Sequence, residues 1–188
     1  KMIIQLDQSY EHDVPHAADN ENPQWIRRKM YDGLLSGCAG TSFSSGTLDN
    51  QAYWFKDWKP LMDTYGMKQV ALCFKLFDTL PWYKFIPDTT DKIISEGRGD
   101  FRSIDYICAA RSEDGSYYVL YIPSGRSLTI NVKEIGGRDM RVHWYNPRTG
   151  QSIKIGAVEG EDMRFEVVCP DKEDWVLVLD NDSHFEMP

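Results

Sequence analysis

The chain has 188 residues, a net charge of -8 and a composition 41% hydrophobic and 27% charged, enough for one comfortable core or two small ones and no basis for disorder throughout. Its Lys and Arg residues are scattered among more numerous acids, which excludes the basic footprint that nucleic acid requires. No apolar run reaches the about 18–20 residues that cross a bilayer, and Lys1-Met2-Ile3-Ile4 is too short for a signal peptide, so no membrane partner is expected.

In chain order, the apolar run Met2 to Leu6 meets a polar cluster, Asp7 to Asp13, and predicts a buried strand ending in a loop. Polar chemistry at the C-terminal end of a strand is where barrel enzymes keep their sites. From Pro23 to Leu35, apolar residues recur at Trp25, Ile26, Met30, Tyr31, Leu34 and Leu35, a helical spacing with Asn22 placed to cap, Pro23 at the first helical position and Gly37 as the stop. The small, β-tolerant stretch Cys38 to Ser44 follows, then a polar loop, Ser45 to Gln51. A second helical pattern runs through Trp54, Phe55, Trp58, Leu61 and Met62, and resumes at Val70, Phe74, Phe77 and Leu80 beyond a break at Tyr65-Gly66.

This alternation predicts consecutive βα units with parallel strands. Two units cannot close an eight-stranded barrel, which takes about 200 residues or more. A missing N-terminal barrel portion, in the same polypeptide or a companion chain, is therefore an expected partner.

Beyond Pro81 to Asp88 the period changes. Runs rich in β-branched and aromatic residues recur at Ile104 to Ala110, Tyr117 to Ile122, Leu128 to Val132, Met140 to Tyr145, Ser152 to Ile155, Arg164 to Val168 and Trp175 to Leu179, and Lys92-Ile93-Ile94 can add another. Turn chemistry separates them: Glu113-Asp114-Gly115, Pro123-Ser124-Gly125, Gly136-Gly137, Asn146 to Gly150, Glu159-Gly160 and Pro170-Asp171. Such spacing predicts an antiparallel β-sandwich, with the boundary in Asp88 to Asp100. The fold class expected is thus α/β plus all-β.

Cys38, Cys73, Cys108 and Cys169 lie far apart in apolar settings and read as free thiols of a core. The four His residues, at positions 12, 16, 143 and 184, have no ligand periodicity. No metal or cofactor is implied. Aromatics at 13% favour core packing, although flat rings also line sugar clefts.

Two motifs stand out: Leu34-Leu35-Ser36-Gly37-Cys38-Ala39-Gly40, preceded by Arg28 and Tyr31, and Trp144-Tyr145-Asn146-Pro147-Arg148-Thr149-Gly150. Leu80-Pro81-Trp82-Tyr83 with Pro87-Asp88, Ala109-Ala110-Arg111-Ser112 with Asp114-Gly115, and Asp174 to Asp180 add matching text. Together they resemble the apiosidase-like glycoside hydrolases, bacterial enzymes with a (β/α)8 barrel followed by a small β-sandwich that carries a collagen-binding label.

The resemblance implies that residues 1–88 are the C-terminal part of a TIM-type barrel, its last two βα units, and that 89–188 are the accessory sandwich. It implies a carbohydrate substrate, hydrolysis of O-glycosidic bonds by paired carboxylates, and a secreted or periplasmic location. Where the family reads Glu-Pro-Ser-Tyr-Glu after its seventh strand, this chain reads Asp7-Gln8-Ser9-Tyr10-Glu11. Asp7 is then the candidate nucleophile or electrostatic stabiliser, one methylene shorter than the family's Glu, and Glu11 the candidate replacement. Tyr10 would wall the site, His12 would hydrogen-bond sugar hydroxyls, Ser42 would follow the eighth strand into the site and Trp54 would stack on a sugar. The acid/base carboxylate would lie outside these residues, leaving the chain inactive alone. The ordinary reading of the same residues is a strand-end aspartate, solvated loop side chains and a tryptophan on an apolar helix face. A non-catalytic carbohydrate-binding accessory protein is the alternative function.

Overall fold

The computed structural model describes residues 5–10, 23–44, 63–131, 140–158, 164–181 and 183–188. The expected cap Asn22, the loop Ser45 to Gln51, the helical pattern Trp54 to Met62 and the turns at Gly136-Gly137 and Glu159-Gly160 lie outside the described residues.

Strand β1 (Gln5–Tyr10) leads to helix α1 (Pro23–Leu35) and strand β2 (Gly40–Ser44). The two strands pair in parallel, as the βα alternation predicts. Proline opens α1 at no cost, because the first helical N–H has no intrahelical partner. At its other end Gly37 takes φ +94°, with the Cys38 N–H donating to the Gly33 carbonyl and the Gly37 N–H to that of Leu34. This pair of bonds satisfies carbonyls that a helix end leaves open, and it needs a residue tolerant of the left-handed region.

Helix α2 (Tyr65–Asp78) starts where the sequence suggests a break. The Thr64 hydroxyl accepts from the Met67 N–H at 3.3 Å, so capping chemistry one residue earlier lets Gly66 sit inside the first turn. A 3-10 turn, Trp82–Lys84, then brings the chain onto the sheets.

Nine strands follow among the described residues: β3 (Phe85–Pro87), β4 (Ile94–Glu96), β5 (Cys108–Ser112), β6 (Tyr117–Ile122), β7 (Ser127–Asn131), β8 (Met140–Tyr145), β9 (Ser152–Val158), β10 (Arg164–Val168) and β11 (Trp175–Asp180). They form a six-stranded sheet ordered β3-β5-β6-β11-β8-β9 and a three-stranded sheet ordered β10-β7-β4, all antiparallel. The β-sandwich expected from the sequence is present. β3 goes beyond that expectation, since three residues ending in a proline carry little strand signal. It lies at a sheet edge, where Pro87 removes no ladder bond. The run from Ile104 becomes a strand only at Cys108, because residues 101–105 turn and the Ser103 carbonyl is taken by Arg28 of α1 at 2.9 Å.

The central strands β6 and β11 are buried on both faces, and strict alternation assigns each side chain to one of two cores. Tyr118, Leu120 and Ile122, with Trp175, Leu177 and Leu179, face the small sheet and meet Leu128, Ile130 and Val167. Tyr117, Val119 and Tyr121, with Val176 and Val178, belong to the core shared with α1 and α2, which supply Ile26, Met30, Tyr31, Val70, Cys73 and Phe77. Tyr31 stacks on Tyr121 at 4.9 Å and 4°. Trp144 and Trp175 meet edge to face at 6.2 Å inside the sandwich, so both tryptophans, like Tyr121, are packing residues. The helices thus form a third layer on the large sheet.

That helical layer is fixed by one polar network within the apolar core. Arg27 of α1, 3% exposed, donates to Asp174, fully buried, and to the Gln69 side chain of α2, while the Tyr121 hydroxyl donates to Asp174 at 2.9 Å. A buried charge pair persists only when its hydrogen-bonding capacity is met. Here one carboxylate and one guanidinium tie together two helices and two strands.

Candidate functional site

The candidate residues from the sequence divide by position. Asp7 and Tyr10 fall on β1 and Ser42 on β2, while Glu11, His12 and Trp54 lie outside the described residues. Because β1 and β2 are parallel, their C-terminal ends lie side by side, with Tyr10 paired to Ser44. The register steps from Leu6↔Thr41 to Ser9↔Phe43, three residues on β1 against two on β2. Asp7 and Gln8 therefore sit in a one-residue bulge, with Ser42 opposite them on the neighbouring strand. A bulge of this kind bends the strand that carries it and interrupts the ladder locally. The structure brings Asp7 and Ser42 to adjacent register positions and puts Tyr10 at the strand end.

A second locus was not among the sequence candidates. Where the end of α1 meets the large sheet, a cleft of about 410 Å³ opens, lined by Ser36, Pro87, Asp91, Arg98, Phe101 and Tyr106 among others. The Arg98 guanidinium organises it. Its Nη1 reaches Asp88 at 2.7 Å and Asp91 at 2.8 Å, its Nη2 donates to the Asp88 carbonyl, and its plane lies 5.0 Å over the Tyr106 ring. Asp88 also accepts the backbone N–H groups of Lys92 and Ile93, which folds the turn that carries Asp91. Phe101 meets Tyr106 edge to face at 5.5 Å. Asp91 and Arg102 are the non-glycine residues with positive φ among the described residues, at 55° and 70°; Asp91 lines this cleft and Arg102 lies over the ring of Phe101, which does. The sequence hint was a charged stretch, Asp88 to Asp100, that reads as a domain boundary, with Phe101 and Tyr106 just beyond it.

At the back of the cleft, Asp32 of α1 faces Cys108 of β5. Burial pushes the Asp32 carboxyl up to about 6, against the lowering effect of the Cys108 thiol and of Arg28. Burial first, and then the Asp32 charge, push Cys108 up to about 12, so this thiol is not an activated nucleophile. Asp32 Oδ1 is buried with no hydrogen-bond partner among the described residues. All four cysteines are free, Cys73 and Cys169 buried, Cys38 and Cys108 partly so. Among the described residues no three His, Cys, Asp or Glu side chains converge as metal ligands do, and no helix is long and apolar enough to cross a membrane.

A solved structure described as a glycoside hydrolase matches with TM-score 0.73 and 21% identity, over 94% of this chain and 42% of that one. A glycoside hydrolase family 5 protein from Bacteroides vulgatus ATCC 8482 matches with TM-score 0.75 and 20% identity, over 94% of this chain and 42% of its own. At such identity the likeness is one of fold, and the chain spans about two fifths of the length of those solved chains. No curated protein matches it. Residues 86–180, the strands of the sandwich, match the family model described as "Putative collagen-binding domain of a collagenase", and the chain belongs to that family.

Proposed function

We propose that this chain is the C-terminal portion of an apiosidase-like glycoside hydrolase that cleaves O-glycosidic bonds of polysaccharides. Residues 1–88 supply the last two βα units of a (β/α)8 barrel, and 89–188 form the accessory sandwich. Asp7 or Glu11 is one of two carboxylates at the barrel rim; the acid/base partner belongs to the preceding strands. Tyr10, His12, Ser42 and Trp54 contact sugar, and the whole protein works outside the cytoplasm, secreted or periplasmic.

The observation that carries this reading is the parallel β1–α1–β2 unit with a bulge at Asp7. A two-stranded parallel sheet leaves its edges unpaired, and parallel sheets are otherwise found covered and extended. The two glycoside hydrolase folds match the helical half together with the sandwich, since 94% of the chain is covered. The test is denaturing intact mass and size exclusion on the native protein. A polypeptide or tight companion well above 21.7 kDa supports the reading; a stable native monomer of 21.7 kDa removes it.

A further inference from the structure

The cleft beside α1 is separate in sequence from the carboxylates assigned to β1, and its chemistry is that of a binding site. Its volume of about 410 Å³ falls in the roughly 300–1,000 Å³ range of small-molecule sites. Phe101 is 73% exposed, an unusual placement for a phenylalanine, with Arg102 lying 5.4 Å over its ring and Tyr106 at its edge. Asp91, 67% exposed, meets both Arg98 and the Tyr106 hydroxyl through Oδ1, which leaves Oδ2 as an acceptor. Arg98 is only 10% exposed, so it braces the acceptor and the aromatic ring rather than reaching outward. The charges balance, Asp88 and Asp91 against Arg98 and Arg102, which disfavours an ionic ligand.

An exposed aromatic ring set beside a braced carboxylate recognises a molecule with an apolar C–H face and hydroxyl donors at its rim. We infer that this cleft is a non-hydrolytic subsite for a neutral saccharide, with Phe101 against one sugar ring and Asp91 accepting from its hydroxyls. The choice of a saccharide rests on the glycoside hydrolase reading above.

Affinity electrophoresis of the full native protein, in gels holding arabinoxylan, glucomannan or polygalacturonate, tests the inference. Retardation is expected in a neutral gel and not in polygalacturonate. Phe101→Ala should weaken it by at least about tenfold with melting temperature unchanged, and Asp91→Asn, which keeps a residue tolerant of positive φ, should weaken it as well. Absence of retardation in both neutral gels, or equal retardation of Phe101→Ala, overturns the subsite. Hydrolysis of the same polysaccharides is measured in parallel. Hydrolysis without Phe101-dependent binding removes the subsite and spares the enzyme reading; Phe101-dependent binding without hydrolysis keeps the subsite and counts against the enzyme.

Discussion

Arg27 and Asp174, 147 residues apart in sequence, form a buried bidentate ion pair, with Nε to Oδ2 at 2.8 Å and Nη2 to Oδ1 at 2.7 Å. The pair joins the helical layer to the residue just before β11, so the helices and the sandwich share one polar anchor as well as one apolar core.

Removing one member leaves an uncompensated buried charge. Asp174→Asn or Arg27→Met should each cost about 3–5 kcal/mol, a large share of the roughly 5–15 kcal/mol that holds a domain together. The double variant should lose less than the sum of the single ones by at least about 1 kcal/mol. Urea unfolding of the four proteins measures this coupling, and additivity would mean that the contact is not energetically shared.

Gly125 donates its N–H to the Lys172 carbonyl at 3.0 Å, and a Cβ added there would lie 1.7 Å from the Asp171 carbonyl oxygen. That atom is backbone and cannot swing aside. Gly125→Ala should therefore destabilise by about 1–3 kcal/mol or more. Gly40→Ala, whose new Cβ meets nothing within 4 Å, is the control. Thermal melts of the two variants decide it.

Asp32 gives a pH signature of known sign. Its folded carboxyl sits at about 6 against an ordinary 3.8, so between those values the folded state holds the proton more tightly than the unfolded one. Stability from this group is present below about pH 4 and is lost as pH rises through 6. Its side chain is 28% exposed, which limits the effect to about 1–2 kcal/mol. Asp32→Asn should raise the melting temperature at pH 7.5 and leave it nearly unchanged at pH 4. An equal shift at both values would mean that charge burial is not the cause.

Alternation and turn residues made most of the sandwich legible in the sequence, because a half-buried strand must repeat every second residue. β6 and β11 carried a stronger message than a two-sheet sandwich requires. Tyr117, Val119, Tyr121, Val176 and Val178 are apolar on the second face as well, because α1 and α2 cover it. β3 was hidden by its length, and the start of β5 by a tertiary contact, the Arg28 bond to Ser103, that no local pattern encodes. Asp7 entered through the resemblance of Asp7-Gln8-Ser9-Tyr10-Glu11 to the family's Glu-Pro-Ser-Tyr-Glu, whereas the bulge it shares with Gln8 is a property of pairing with β2 that no local pattern encodes. The cleft around Arg98 was illegible for the same reason: Ser36, Asp91 and Tyr106 meet only after α1 docks on the sheet.

The measurement that bears most directly on the carboxylates proposed at Asp7 and Glu11 is release of reducing ends from plant polysaccharides by the full native protein carrying Asp7→Asn or Glu11→Gln. One of the two should lower the rate by about 10²–10⁴-fold with the melting temperature unchanged. Wild-type rates in both variants would contradict a catalytic carboxylate at this end of β1.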